Sequence, residues 1–292
     1  MTPLRQKMID LMTYRNLSPR THESYLGAVE RLTRYYQRPP EQISVEDIQL
    51  WLMHLSLKQH LAPASINVAA NGIKFLYRQV LGQDDFLLKF KLPKRIQKIP
   101  ALLTRQEVQQ IIAASQNQKY YAMLSLCYGC GLRLGEVVAV KISHLDSEHH
   151  RLKVEQGKGK KDRVVPLPPR VLAILRQYWH YYRSQSYLFF SSRNEKKAVS
   201  DTSLQKAFHT AKKKAGIDKV GGVHSLRHAY ATHQLDAGMP IHQLKDILGH
   251  TDIRTTLRYL NWCPQTSATH FDLLDGWEKT NSWCQSVSLE HG

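Results

Sequence analysis

Helix start signals followed by apolar residues at a helical spacing fill the first ninety residues of this chain. Four segments begin in this way, each with a Ser/Thr cap, a proline in the first turn, or both. The four signals are Thr2-Pro3, Ser18-Pro19, Ser44 with Asp47, and Pro63. Apolar residues then recur every three to four positions, which is typical of amphipathic helices. Residues 1–90 are therefore predicted to form a small all-helical domain.

A second domain is predicted over residues 104–275. Thr104 and Glu107 form a capping-box pattern, and the pattern from Asp201 onward is again mostly helical. Between them, RLKVEQGKGKKDRVVPL alternates around Gly157 and Gly159, which is typical of a β-hairpin. The predicted fold class is mainly α, with a small β-sheet or hairpin in this second domain.

The predicted domains are separated by a basic, proline-punctuated stretch. KFKLPKRIQKIP, at positions 89–100, contains two prolines and no acidic residue. Such composition favours an extended linker, assigned to residues 91–103, whose charge suits a phosphate backbone. Residues 276–292 show weak periodicity and are predicted to form a C-terminal tail.

The charge of the chain is strongly positive in both halves. The formal net charge is +17, with 14 Lys/Arg against 8 Asp/Glu in residues 1–95 and 27 against 16 in the remainder. This balance favours a polyanionic partner, most often nucleic acid, over a basic protein with no such partner. The first twelve residues are too polar for a signal peptide, and no apolar run approaches 18 residues, so no membrane span is expected.

The four cysteines do not form a metal-binding pattern. Cys127 and Cys130 are a lone CxxC in an apolar run, and Cys263 and Cys284 are 21 residues apart. A zinc ribbon requires a second pair at similar spacing. Buried thiols in a reducing cytosol are therefore predicted.

Four short motifs in the second domain carry side chains suited to phosphate chemistry. They are CGLRLGE, GKGKKDR, HSLRHAYATH and LGHTDIRTTLRYL. An arginine beside an apolar helix needs a carboxylate or phosphate partner, and residues three apart on a helix share a face. Outside the lysine-rich hairpin, the residues singled out are Arg133, Glu136, His224, Arg227, His250 and Tyr259.

Each motif also has a purely structural explanation. Arg133 with Glu136 suits a structural ion pair equally well, and a lysine-rich hairpin is usually a solvated surface. His250 alone suits a cap or a core position, and Tyr259 alone suits a packing position. The three histidines of HSLRHAYATH do not make a metal site, because the last two are five residues apart and no HExxH pattern or nearby carboxylate completes it.

In combination, these motifs resemble the signature of the tyrosine recombinases, the phage-integrase family. The matching segments are GLRLGE, GKGKKDRVVPLP, HSLRHAYATHQLDAG and ILGHTDIRTTLRYL, and LSPRTHESYLGAVERL is similar to the start of the family's core-binding, SAM-like domain. The resemblance covers roughly residues 3–265. It implies six catalytic positions, none of them substituted: Arg133, Lys158, His224, Arg227, His250 and Tyr259.

The resemblance implies a site-specific recombinase that cleaves and rejoins DNA. Tyr259 would attack a DNA phosphorus and form a 3′-phosphotyrosine with a free 5′-hydroxyl. Arg133 and Arg227 would hold the phosphate oxygens through paired N–H donors, and His250 would add a hydrogen bond.

Two proton transfers complete the implied mechanism. Lys158 would protonate the leaving 5′-oxygen, with Lys160 and Lys161 as alternatives on the same hairpin. His224 would accept or relay the tyrosine proton. Two arginines and a lysine would replace the metal used in other phosphoryl transfers, so no metal is expected. The covalent link would keep the energy of the phosphodiester, so no ATP or other cofactor is expected.

The implied partner is double-stranded DNA, held in a two-domain clamp. Recombination joins two duplexes, so a homotetramer on paired DNA sites is expected, with the tail docking on a neighbouring subunit. The expected location is cytoplasmic and nucleoid-associated. The task could be integration, excision, dimer resolution or transposition, and the alternatives are type IB topoisomerase-like relaxation and a catalytically inactive architectural DNA-binding protein.

Local expectations follow for the segment around the proposed nucleophile. Thr251-Asp252 is expected to start its helix, and Arg258 is expected to be a phosphate neighbour and not a catalyst. Tyr259 is expected to be at least partly exposed to the cleft, because a nucleophile has to reach DNA.

Overall fold

The computed structural model describes residues 2–83, 92, 101–155 and 162–262. The chain divides into two compact units, Met1–Lys98 and Ile99–Gly292. They are here called the helical unit and, after the role that the sequence predicts for it, the catalytic unit. None of the described helices is long and apolar enough to cross a membrane. The predicted tail, and the predicted linker except residues 92 and 101–103, lie outside the described residues and stay predictions.

The helical unit contains the four predicted helices. They are α1 (Pro3–Tyr14), α2 (Pro19–Tyr36), α3 (Val45–Leu57) and α4 (Pro63–Phe75). The Ser44 hydroxyl accepts a hydrogen bond from the Asp47 N–H, and the Asp47 carboxylate accepts one from the Ser44 N–H, so the predicted capping box is confirmed. A π-helical turn, Leu76–Val80, continues α4.

Close packing of α2 against α4 organises the core of this unit. A Cβ atom added at Gly72 of α4 would lie only 2.9 Å from the Cα of Tyr25 in α2. Only glycine permits this approach. Trp51 and Ile48 of α3 and Ile73 of α4 are completely or almost completely buried in the resulting apolar cluster.

The catalytic unit is built mainly from eight described helices. They are α5 (Arg105–Ala113), α6 (Gln118–Gly129), α7 (Leu134–Val138), α8 (Pro169–Tyr182), α9 (Asp201–Lys214), α10 (His224–Asp236), α11 (Ile241–Leu248) and α12 (Ile253–Leu260). Helix α6 is the most deeply buried part, with every residue from Ala122 to Cys127 in the interior. Helix α6 packs against α8 and α10. Arg133 follows α6 in the chain and Arg227 lies in α10, so this packing brings the two arginines into one region.

Two small antiparallel sheets complete the described part of the catalytic unit. One contains β1 (Leu145–Asp146), β2 (Arg151–Val154) and β3 (Arg163–Pro166), and the other contains β4 (Phe190–Ser191) and β5 (Asn194–Ala198). Leu152 pairs with Val165, and both side chains are buried. The predicted hairpin strands are therefore confirmed, while their connection, residues 156–161, lies outside the described residues. The predicted fold class, mainly α with a small β-sheet, is also confirmed.

Candidate active site

The end of α6 places Arg133. The chain leaves this helix through Gly131, which has a φ of +63°, and a Cβ there would lie 2.4 Å from the Tyr230 ring. Arg133 is the residue before α7, and its backbone N–H donates to Glu136 Oε2 at 2.8 Å. Its guanidinium donates to Glu136 Oε1 at 2.7 Å and to the Gly249 carbonyl at 3.2 Å. The ion pair suggested by the motif is present.

Glu136 joins three arginines. Besides Arg133, it accepts two hydrogen bonds of 2.8 Å from Arg163 at the start of β3, and Arg227 Nη1 lies 3.8 Å away. Burial by itself raises the pKa of Glu136, but hydrogen bonds and charge from Arg163 and then Arg133 lower that pKa to about 2. One carboxylate against three guanidinium groups leaves an excess of positive charge, which favours binding of an anion.

Arg227 in α10 is completely buried. Its Nη1 donates to the Gly131 carbonyl at 2.7 Å, and its Nη2 donates to the Leu248 carbonyl at 2.6 Å. Burial and the charge of Arg133 lower the pKa of Arg227 to about 10, so the group is still charged at neutral pH. Its buried Nε has no hydrogen-bond partner among the described residues. A donor left unpaired in this way is costly unless an incoming acceptor, such as a phosphate oxygen, satisfies it.

His250 follows directly on the glycine that ends α11. Gly249 has a φ of +62°, the left-handed conformation common at helix C-termini. His250 Nε2 lies 3.2 Å from Arg227 Nη2, and its Nδ1 lies 2.8 Å from Thr256 Oγ1. Because guanidinium only donates, Nε2 accepts from Arg227, and in the neutral ring Nδ1 then carries the proton donated to Thr256.

Tyr259 is buried, which makes the expectation of partial exposure wrong. Only 3% of its surface is exposed. Asp252 caps the start of helix α12, as expected, and the helix directs Tyr259 inward. There its ring stacks on His250 at a centroid distance of 6.3 Å and meets the Trp262 ring edge-on at 5.2 Å. These flanking rings replace solvent on both sides of the phenol.

Burial and nearby charges shift the pKa of Tyr259 in opposite directions. Burial raises the pKa of the phenol above its usual value of 10, whereas the charges of Arg227, Arg133 and Arg258 lower it. The two buried or half-buried arginines are the ones that share Glu136. Arg258 is exposed, and its guanidinium lies 5.6 Å from the centre of the Trp262 ring. Its expected contact with phosphate stays a prediction.

The imidazole nearest to the phenol is that of His228, a residue to which the sequence assigned no catalytic role. His228 Nδ1 lies 3.1 Å from the Tyr259 hydroxyl. His224 is exposed at the first position of α10, and its ring contacts His228 at 4.9 Å between centroids. The only local signal for His228 was its position four residues after His224 on one helix. The 30 residues that separate it from Tyr259 carry no pattern that links the two.

Lys158, Lys160 and Lys161 lie outside the described residues. Their predicted role as general acid therefore stays a prediction. The described part of the hairpin ends beside the arginine cluster, since Arg163 at the start of β3 binds Glu136 and also donates to the Ile247 carbonyl at 2.8 Å.

Cys127 and Cys130 are buried thiols, as predicted. Burial raises the pKa of each thiol to about 12. Cys263 and Cys284 lie outside the described residues. Among the described side chains, no group of three or more His, Cys, Asp or Glu is arranged to hold a metal ion.

Comparison with known proteins agrees with this geometry. Residues 101–265 match the phage integrase family, and residues 4–85 match the N-terminal SAM-like domain of phage integrases. The chain is 30% identical over 262 residues to a tyrosine recombinase of Thermosipho africanus, covering 86% of this chain and 92% of that protein. It is also 30% identical over 276 residues to the tyrosine recombinase XerC of Shewanella amazonensis, covering 90% and 92%.

The fold is shared with a solved integrase. A lambda integrase tetramer bound to a Holliday junction superposes with a TM-score of 0.72 at 17% identity, over 88% of this chain and 76% of that chain. Two family matches that together span most of the chain, and relatives at 30% identity over most of their length, give one assignment. The chain belongs to the phage integrase family, and it is a tyrosine recombinase.

Proposed function

We propose that this recombinase cleaves DNA through Tyr259, forming a 3′-phosphotyrosine and releasing a 5′-hydroxyl. One observation carries the proposal: the Tyr259 ring stacks on His250, which lies 3.2 Å from Arg227, and Arg227 shares the carboxylate of Glu136 with Arg133. A phosphorane-like transition state gathers negative charge on its non-bridging oxygens. Preorganised donors in such a site contribute about 3–4 kcal/mol each to lowering the barrier.

Each arginine is held in a different way for this task. Arg227 is fixed by two backbone carbonyls and by His250, and its Nε remains as a donor for phosphate. Arg133 is half-buried, with 21% of its side chain exposed. Arg227 thus supplies a rigid phosphate contact from the protein interior. Arg133 supplies a phosphate contact at the surface, where solvent and DNA can reach it. His250 donates to phosphate only when its Nε2 carries a proton, so the ring takes up a proton or exchanges tautomers when phosphate replaces its Arg227 contact.

The burial of Tyr259 adds one requirement. A phosphate reaches the hydroxyl only after α12 or Trp262 shifts, since 3% of the tyrosine surface is exposed. DNA binding would drive this shift, because the phosphate satisfies the buried donor of Arg227 and offsets the excess positive charge. Lys158 on the hairpin then protonates the 5′-oxygen, with His224 available as a relay at the exposed end of α10.

The partner proposed for both units is double-stranded DNA. The net charge of +17 supports it, as does the match of the helical unit to a SAM-like domain of integrases. The related lambda integrase has been seen as a tetramer on a Holliday junction. We extend that state to this chain, acting on paired sites in the cytoplasm, where the DNA is.

Trapping the covalent intermediate tests the nucleophile. The full chain is incubated, in EDTA, with a pool of randomised duplexes that each carry one nick. Cleavage near the nick releases a short strand that diffuses away, so the covalent intermediate cannot be rejoined and accumulates. Denaturing gels are expected to show DNA-linked protein, and sequencing of the linked DNA identifies the site. An adduct formed by Tyr259→Phe, or the absence of any adduct with the native chain on this pool and on sheared host DNA, would contradict the proposal.

A further inference from the structure

His228 is placed as a partner of the nucleophile. It follows Arg227 in α10 and is half-buried. Its Nδ1 lies 3.1 Å from the Tyr259 hydroxyl, and its ring centroid lies 5.6 Å from those of both Tyr259 and Trp262. The neutral ring with its proton on Nε2 accepts a hydrogen bond from the phenol at this distance.

We propose that His228 is the group that takes the phenolic proton when Tyr259 attacks DNA. This inference rests on the proposed function. The O–H bond of Tyr259 breaks and its proton moves to His228 Nδ1, while the phenolic oxygen forms the bond to phosphorus. The bond from phosphorus to the 5′-oxygen breaks, and that oxygen receives a proton from the general acid. In rejoining, the imidazolium of His228 returns its proton to the tyrosine oxygen.

The neighbouring groups are less suited to this role. Arg227 only donates hydrogen bonds. His250 Nε2 already accepts from Arg227, and its Nδ1 lies against Thr256. His224 is exposed at the start of the helix and contacts the His228 ring. It is therefore placed to pass a proton between His228 and solvent, one step away from the phenol.

The charges around His228 keep it neutral until DNA arrives. The charged or titratable groups that face it are His224 and Arg227 from α10 and Arg258 and Tyr259 from α12. Burial first, then His224 and the two arginines, lower the pKa of His228 to about 4. The phenol therefore keeps its proton in the free enzyme. A bound phosphate offsets the two arginine charges, which raises the basicity of the imidazole as attack begins.

Replacement by asparagine separates a proton acceptor from a positioning residue. The asparagine side-chain oxygen can occupy the place of Nδ1 and accept the same hydrogen bond, but it cannot take a proton. If His228 takes the proton, His228→Asn is expected to slow adduct formation ~100-fold or more at pH 7. The deficit should shrink as the pH rises towards 9, because more of the phenol is then ionised without a base. A His228→Asn rate near that of the native chain at pH 7 would overturn the proposal.

The same helix offers a matched control. His233 Nδ1 lies 2.9 Å from the Tyr128 hydroxyl, and these two rings also meet edge-on. His233→Asn alters an equivalent histidine–tyrosine pair away from Tyr259 and is expected to leave the adduct rate unchanged. If His233→Asn slowed the reaction as much as His228→Asn, with the same pH dependence, the effect would be structural and the proposal would fail.

A measurement on the native chain covers the case in which His228→Asn does not fold. In ¹⁵N-histidine NMR spectra at pH 7, His228 is expected as the neutral tautomer with its proton on Nε2, and Tyr259→Phe is expected to shift its Nδ1 signal. A proton found on Nδ1 would overturn the inference. If the native chain and His228→Asn form adducts at the same rate, only the role of His228 is refuted. If the native chain forms no adduct, the proposed function itself is refuted.

Discussion

Two buried tyrosines, one in each unit, differ in the groups that their hydroxyls contact. Tyr77 in the helical unit is 1% exposed and Tyr259 in the catalytic unit is 3% exposed. The Tyr77 hydroxyl donates to the Pro40 carbonyl at 2.6 Å and to the Ile43 carbonyl at 3.3 Å. Burial raises the pKa of both phenols. Carbonyl oxygens cannot remove a proton at neutral pH, whereas the Tyr259 hydroxyl lies 3.1 Å from an imidazole nitrogen, Nδ1 of His228.

The interiors of the two units also differ in the polar and charged side chains that they bury. Tyrosine and tryptophan aside, every buried polar or charged side chain among the described residues belongs to the catalytic unit. These are Ser125, His144, Ser184, Arg227, Thr232 and Thr256. A buried charge is costly unless it is paired and hydrogen-bonded. The helical unit has no such buried charge among its described residues, whereas the catalytic unit buries Arg227 in the cluster proposed to bind phosphate.

The largest effect is expected from Arg227→Lys. Lysine keeps the charge but loses the planar fork that reaches Gly131, Leu248 and His250 together. The rate of adduct formation should fall by about 10²–10³-fold, as for loss of one oxyanion donor. Tyr77→Phe should leave that rate unchanged, and a comparable loss in Tyr77→Phe would break the comparison between the two tyrosines.

Removing the charge of Glu136 should have the largest effect on stability. Glu136→Gln leaves three guanidinium groups without their shared carboxylate and should lower the free energy of unfolding by about 3–5 kcal/mol. Glu30, half-exposed beside Arg5 in the helical unit, provides the control. Glu30→Gln should change stability by less than about 1 kcal/mol. Urea unfolding of both variants measures the difference, and equal costs would contradict a special role for the buried cluster.

Acid titration should show how much the Glu136 carboxylate contributes to stability. The pKa of Glu136 is lowered from 4.5 in the unfolded chain to about 2 in the folded protein, so its contribution is complete above pH 4.5 and is lost as the pH falls to about 2. The shift corresponds to about 3 kcal/mol of stability. Unfolding free energies measured across this window should fall less steeply in Glu136→Gln. An unchanged slope would show that other groups dominate.

A glycine pair tests how tightly the arginine cluster packs. Gly249 and Gly216 both have positive φ, +62° and +68°, but a Cβ at Gly249 would lie 2.9 Å from the Arg163 side chain, whereas one at Gly216 meets nothing within 4 Å. Gly216→Ala should cost about 1 kcal/mol for the backbone strain alone, and Gly249→Ala about 2 kcal/mol. Thermal unfolding compares them, and equal losses would mean that Arg163 moves aside freely.

A small effect is also expected on the stability of Tyr77→Phe. Loss of its hydroxyl leaves the Pro40 and Ile43 carbonyls without this donor and should cost about 1 kcal/mol. Chemical denaturation of the full chain measures the loss. A stability equal to that of the native chain would mean that water replaces the hydroxyl, and that Tyr77 is held by packing alone.

Sequence patterns predicted the parts of this protein that depend on near neighbours. The capping boxes at Ser44 and Thr104 each join residues three apart, and the structure shows both. The strands around the lysine-rich loop, the glycine at the end of α11 and the start of α12 at Asp252 also depend on a few adjacent residues. The order and spacing of the motifs were enough to identify the family, because both are read directly along the chain.

Tertiary structure alone decided how those residues meet. Arg133 reaches the Gly249 carbonyl across 116 positions, Arg163 reaches Glu136 across 27, and His228 reaches Tyr259 across 31. No periodicity or cap encodes such pairs, because they form only when helices from distant parts of the chain pack together. For the same reason the sequence determined that Tyr259 lies on a helix after His250. Only the packing of Trp262, His250 and His228 around it decided that the phenol is buried and which imidazole its hydroxyl faces.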